Sequence, residues 1–280
     1  MTKQGKTQKK QIALVTGASS GIGQATAERL ATAGYKVYGT SRRGASGDSQ
    51  PFEMLPLDVT NDDSVTAAVN EVIRREGRID LLVNNAGFSL AAAGAEESSI
   101  EQVQSIFNTN FFGIVRMNRA VLPHMRIQSS GRIINIGSIV GFLPVPFMAF
   151  YSATKHAVKG YSQSLDHEVR TLGIRVVVIE PAGTSTQIDA NAIEADSQLD
   201  VYREGREIVG KRLSAMIEKG DSPRDVADVV LKAATATQPC QRYTVGREAK
   251  KLRLISSIAP AGMVDAALRK QMGLNTLSKR

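Results

Sequence analysis

The sequence predicts an α/β fold in which a doubly wound parallel sheet is covered by helices on both faces. Three observations carry that prediction. Short, continuous apolar runs recur along the chain, segments with helical spacing separate them, and a glycine-rich turn follows the first run. Continuous apolar strands need cover on both faces, and crossover helices supply it while keeping the strands parallel.

The elements follow in order. "QIALVT" (11–16) is the first strand, and after the glycine turn "ATAERLATAG" (25–34) has helical spacing and stops at Gly34. "KVYGTS" (36–41) and "FEMLPLDV" (52–59) are the second and third strands. Asn61 is placed to cap a helix running toward Arg75. "IDLLVNNAG" (79–87) and "GRIINIGS" (131–138) are the fourth and fifth strands. A helix containing Tyr151 leads to "IRVVVIEP" (174–181), and a further helix from about Ser222 precedes "RYTVG" (242–246). No repeat or low-complexity linker interrupts 11–246, which reads as one dinucleotide-binding and catalytic domain. Residues 1–10 read as a basic disordered tail and 247–280 as a carboxyl-terminal extension. Within the domain, 184–220 is polar, charged and long for a connection, a candidate substrate loop or lid. Residues 254–272 carry an apolar stripe suited to closing a pocket, docking on a subunit or resting on a membrane. Pro260 and Gly262 break the stripe, so one long membrane-lying helix is the weakest of those readings.

Charge and composition narrow the class. The net charge of +8 is uneven: residues 1–10 hold four lysines and no acid, and 242–280 hold nine basic and two acidic groups. The stretch between holds 22 basic against 25 acidic groups. Basic ends without tryptophan, and a tail without aromatics, read as solubilising rather than as a nucleic-acid surface. The amino terminus lacks the apolar core of a secretory signal, and no apolar run is long enough to span a membrane. The lone Cys240 cannot form an internal disulfide, so a cytoplasmic location is expected. His124, His156 and His167 lack companion ligands at metal spacing, so no metal is expected.

The turn "TGASSGIG" (16–23) places Gly17, Gly21 and Gly23 where the chain passes from strand to helix. A helix amino terminus offers unpaired N–H groups and a positive dipole end, which suit a pyrophosphate. The spacing G-x-x-x-G-x-G differs from the commoner G-x-G-x-x-G. A carboxylate at the end of the second strand would bind the adenosine ribose and repel a 2′-phosphate. This chain has Ser41, Arg42 and Arg43 there instead. Arginine pairs well with phosphate oxygens, so NADP(H) is expected in preference to NAD.

Tyr151 and Lys155 stand four residues apart, on one face of a helix. By themselves they fit either a solvated surface or a phenol tuned for proton exchange. A tyrosine near pKa 10 needs about 4 kcal/mol to reach neutrality. One positive charge at about 4 Å supplies about that much at an effective dielectric of 20.

Taken in order, "TGASSGIG", Asp58, "NNAG" (84–87), Asn110, Ser138 and "YSATK" (151–155) resemble the short-chain dehydrogenase/reductase family across roughly 11–246. The resemblance implies a single Rossmann-type domain with about seven parallel strands, built into a homodimer or homotetramer. It implies cofactor contacts from Gly17, Ser19, Ser20, Gly21, Ile22 and Gly23, with Ser41 and Arg42 at the second strand. Asp58 and Val59 would flank the adenine, and Asn84, Ala86 and Gly87 would support the cleft. Pro181, Gly183 and Thr186 would reach the nicotinamide. "PAGTST" departs from the family pattern there, with alanine at 182 and glycine one place late. Tyr151 would be the acid/base, Lys155 would also hold the nicotinamide ribose, Ser138 would bind the reacting oxygen, and Asn110 would anchor a water beside Lys155.

The activity so implied is NADP(H)-dependent interconversion of a secondary alcohol and a ketone, or of an alcohol and an aldehyde. The apolar stretch "IVGFLPVPFMAF" (139–150) offers Phe142, Phe147 and Met148 as pocket residues for a bulky apolar substrate, or equally as core. A weaker similarity to the hydroxysteroid and retinol dehydrogenase branch agrees with such a substrate. The alternative is a non-catalytic nucleotide-binding regulator on the same fold, expected to have lost Tyr151, Lys155 or Ser138; all three are present.

Overall fold

A computed structural model describes residues 10–44, 50–184 and 192–276. The first strand, β1 (Ile12–Val15), buries all four residues, and its side chains alternate between two core layers. Ile12 and Leu14 meet one layer, while Ala13 and Val15 meet the other. Six more strands lie parallel to it: β2 (Lys36–Ser41), β3 (Glu53–Pro56), β4 (Leu81–Asn84), β5 (Gly131–Ile136), β6 (Ile174–Glu180) and β7 (Arg242–Thr244). Their spatial order is β3-β2-β1-β4-β5-β6-β7, so the direction of winding reverses between β1 and β4. Ligand crevices in open α/β sheets form at such a reversal, beyond the strands' carboxyl ends.

Helices cover both faces. On one side α1 (Gly21–Thr32) and α7 (Pro223–Thr235) contribute Ala27, Leu30, Val226 and Val230 to the core. On the other, α2 (Asp62–Glu76), α4 (Gly113–Gln128) and α5 (Ala149–Val169) contribute Val69, Met117, Val121 and Leu165. The expected Asn61 cap forms, its side chain accepting from the Ser64 amide at 2.8 Å, and Ser222 opens α7 in a capping box with Asp225.

Two segments go beyond the simple strand–helix repeat. Within 184–220, the polar stretch winds into a long helix, α6 (Asp200–Glu218), which buries Val209. The carboxyl end forms α8 (Arg247–Ile258) and α9 (Ala261–Gln271), interrupted at Pro260 as the sequence requires. Ala249, Leu252, Leu268, Met272 and Leu274 pack with Val209 and Leu213 of α6 into a third apolar cluster. The basic tail before residue 10 lies outside the described residues.

Candidate active site

The glycine turn joins β1 to α1 above the winding reversal. Gly17 and Gly21 take left-handed backbone angles, φ +66° and +56°, which side chains disfavour. A Cβ on Gly23 would run into the Gly17 carbonyl oxygen and the Asn85 amide. Ser20 occupies the N-cap of α1 without a capping bond, and no acid stands in the first turn. An unspent amino terminus beneath a side-chain-free cradle fits a dinucleotide's pyrophosphate. The turn is tied to β2, because the Ala18 amide donates to the Thr40 carbonyl at 2.8 Å. Ser41 ends β2 and closes a tight turn with Gly44, leaving Arg42 and Arg43 exposed on it. Thus a hydroxyl and two guanidinium groups stand where a carboxylate would exclude a 2′-phosphate.

After β3, Thr60 donates to the Asp58 carboxylate from both its hydroxyl and its amide, at 2.7 and 2.9 Å. These bonds hold the carboxyl below its ordinary range, with Arg42 and Arg116 adding to the effect. Val59 is buried against Gly113. Strand alternation separates the residues of "NNAG". The Asn84 side chain turns into the interior and donates to Asn118 and Asn135, both at 2.8 Å. Its neighbour Asn85 faces the crevice and binds the Thr16 and Gly17 carbonyls at 3.0 Å. Asn85 was not among the sequence candidates, although a doubled asparagine at a strand end guarantees that one of the pair faces each way. Ala86 donates its amide to Thr16, and Gly87 lies against Asn110.

Asn110 lies in a π-helical turn, Asn108–Phe112, between α3 (Ile100–Phe107) and α4. Its amide exchanges two hydrogen bonds with the Phe88 backbone, at 2.9 and 3.0 Å, and is fully buried. Ser138 follows β5 and caps a helical turn, its hydroxyl accepting weakly from the Val140 amide at 3.3 Å. Lys155 is buried, and its ammonium donates to the Ile136 carbonyl at 3.0 Å. Desolvation lowers its pKa to about 8. The ammonium nitrogen lies 5.5 Å from the centre of the Tyr151 ring, so the two residues share an inward face rather than a solvated one.

Ser138, Tyr151 and Lys155 line one cleft of about 120 Å³, together with Ile22, Gly87, Pro181, Gly183 and Thr184. Thr186 lies outside the described residues. The cleft's apolar walls are Val145 and Met148 on one side and Leu213, Met216 and Ile217 of α6 on another. Of the three pocket candidates, Met148 lines the cleft. The Phe142 ring lies beneath the Arg242 guanidinium, 5.5 Å from its centre, and Phe147 packs edge-on against Tyr202 at 6.2 Å. Phe147 also takes a left-handed angle, φ 61°, a local strain at the entrance to α5.

The α6 wall is held in place by Glu97. This buried carboxylate accepts from the amides of Gly94 (2.6 Å) and Leu199 (2.7 Å) and pairs with Arg206. Burial pushes its pKa up, but the two amides and Arg206 outweigh burial and leave the carboxyl below its ordinary range. Among the described residues no cluster of His, Cys, Asp or Glu could hold a metal ion, and no helix is long and apolar enough to cross a membrane.

The chain and its fold resemble those of known proteins. Residues 11–197 match the model of the short chain dehydrogenase family. The 3-ketodihydrosphingosine reductase of Bacteroides thetaiotaomicron is 40% identical over 262 residues, spanning 92% of this chain and 97% of that protein. A short-chain dehydrogenase from Streptomyces avermitilis superposes with a TM-score of 0.80 at 29% identity, covering 97% of this chain and all of the other. A 3-ketoacyl-(acyl-carrier-protein) reductase from Brucella melitensis, solved with NADH, superposes at 0.69 with 27% identity, covering 84% of this chain and 96% of that one. The chain therefore belongs to the short-chain dehydrogenase family, oxidoreductases that act on CH–OH groups with a nicotinamide nucleotide.

Proposed function

We propose that this protein is an NADP(H)-dependent reductase of a ketone carried on a bulky apolar molecule, working reversibly on the corresponding secondary alcohol. The observation that carries the reading is the buried Lys155, bonded to Ile136 and facing Tyr151 at the floor of an apolar-walled cleft.

The glycine cradle and the open amino terminus of α1 would hold the pyrophosphate, and Ser41 with Arg42 would hold the 2′-phosphate. Bound nicotinamide supplies or accepts the hydride. The protein's own work is proton handling. The Tyr151 hydroxyl would give its proton to the substrate oxygen as the alcohol forms, and the ammonium of Lys155 favours the phenolate left behind. Ser138 would donate to the same oxygen as charge develops on it. With its pKa at about 8, Lys155 remains mostly charged at neutral pH. Its two N–H groups not used on Ile136 are available to a ribose. Asn110, spent on Phe88, would act by fixing that backbone beside the cleft.

The aliphatic walls from Val145, Met148, Leu213, Met216 and Ile217 suit a hydrocarbon chain, and the name of the 40% identical relative makes 3-ketodihydrosphingosine the first substrate to try. Fluorescence titration with NADPH and NADH, beside an Arg42→Ala variant, tests the cofactor. NADPH affinity should fall roughly tenfold or more, the worth of one charge-assisted hydrogen bond, with NADH unchanged. NADPH oxidation with 3-ketodihydrosphingosine and a panel of other ketones tests the reaction. Binding of neither nucleotide, or turnover undiminished in Tyr151→Phe, would reject the reading.

A further inference from the structure

The outer face of α8 is not used by the fold. Its inner face, through Ala249 and Leu252, closes the third apolar cluster, whose margin includes Met148 and Tyr151 of the cleft. The opposite face carries Arg247, Lys250 and Lys251, then Leu254, Ile255 and Ile258, at the three- and four-residue spacing that puts them in one stripe. The three aliphatic residues are 63%, 51% and 75% exposed, and Met263, just beyond the Pro260 break, is 66% exposed. Isolated exposed aliphatics are ordinary, but several on consecutive turns of one helix mark a contact surface.

Charge identifies the contact. Residues 247–276 hold six basic and two acidic groups; on the stripe itself Arg247 and Lys250 are exposed cations, while Lys251 shares its charge with Glu248 at 2.9 Å. A second copy related by a two-fold axis would set this positive surface against itself. An anionic bilayer accepts both halves of the stripe, the aliphatic residues at the acyl boundary and the amines among the headgroups. We propose that the outer face of α8, with the start of α9, docks the protein on the surface of an anionic phospholipid membrane. The break at Pro260 makes this a surface of two short helices rather than one long one. Docking places the wall of the cleft one helix away from the bilayer. The proposal stands whichever cofactor or ketone the cleft takes, because it rests on surface residues alone.

The test is sedimentation of the full chain with vesicles of phosphatidylcholine alone and of phosphatidylcholine mixed with phosphatidylglycerol. Two variants accompany it: Lys250→Gln with Lys251→Gln, and Leu254→Ser with Ile255→Ser and Ile258→Ser. Sedimentation velocity of each protein without vesicles gives its oligomeric state, and thermal unfolding shows that it is folded. The expected result is salt-sensitive binding to the mixed vesicles only. The double lysine variant should weaken it about twenty-five-fold, at roughly fivefold per lysine, and the aliphatic variant should abolish it with the oligomeric state unchanged. Absence of binding to the mixed vesicles overturns the proposal. So does binding that survives both variants, which would belong to the basic amino terminus. Dissociation of an oligomer by the aliphatic variant would make the face a contact between copies and overturn it equally.

Discussion

Replacing Lys155 with methionine is expected to stabilise the fold while ending turnover. Burial lowers the pKa of this ammonium from 10.5 to about 8. At about 1.36 kcal/mol per pH unit, that difference costs about 3 kcal/mol of stability at pH 7. The folded pKa lies below the unfolded one. The group's contribution is therefore intact above about pH 10.5 and is lost as the pH falls through about 8. Methionine keeps a linear side chain and removes the charge, but it gives up the bond to the Ile136 carbonyl, worth about 1 kcal/mol. The net expectation is a gain of about 2 kcal/mol at pH 7, shrinking above pH 8 and turning into a small loss from about pH 10. Urea unfolding of the nucleotide-free protein and the variant across this range reads the difference directly, because other titrating groups cancel between them. A variant less stable than the parent at pH 7, or a gap that does not change between pH 7 and 10, would refute the account of Lys155 as a desolvated cation.

Gly23→Ala should cost about 2 kcal/mol by overpacking against Gly17 and should remove nucleotide binding, as thermal unfolding with and without NADPH would show. Glu97→Gln breaks a buried pair, so unfolding should be easier by about 3 kcal/mol. Because the lesion loosens α6 rather than the Tyr151 region, KM for an apolar ketone should rise more than kcat falls. Asp166 is buried, which raises its pKa, but Arg175, the Val176 amide, Arg170 and Gln241 prevail and hold the carboxyl far below its ordinary range. Its stabilising contribution is therefore present above about pH 4 and lost on further acidification. Asp166→Asn should lower stability at pH 7 by about 3 kcal/mol and flatten the acid limb of the unfolding profile.

The sheet was readable because parallel strands buried on both faces must be apolar throughout, as "IALV" and "VVVI" are. Most strands are shorter than the runs that predicted them, since Thr16, Asn85 and Ser138 continue the chain as loops rather than as ladder, whereas β2 keeps all of 36–41. The inward placement of Tyr151 and Lys155 was readable from spacing once the other motifs accompanied them. The pocket walls were less so. Phe142 and Phe147 are as apolar as Met148, but their rings pair with Arg242 and Tyr202 from distant segments, and local sequence does not encode such partners. The signal for the α6 wall was present in the spacing of Leu213, Met216 and Ile217, hidden in a segment polar enough to read as a loop.

The π-helical turn at 108–112 makes the site sensitive to the number of residues as well as to their kind. It accommodates one residue more than an α-helix of the same span. Deleting a single residue there would let α3 and α4 fuse into one regular helix, a change favourable to the backbone. Because the wide turn already absorbs the extra residue, the two halves would keep their facing and the change would fall on the turn itself. The row Ile114, Met117, Val121 and Met125 would stay in the core, while Asn110 would lose the position from which it bonds Phe88. Substitutions at each of these positions can be graded from mild to severe, whereas the one-residue deletion admits no mild form. Variation in chain length should accordingly be tolerated in the loops around this helix and excluded from its middle.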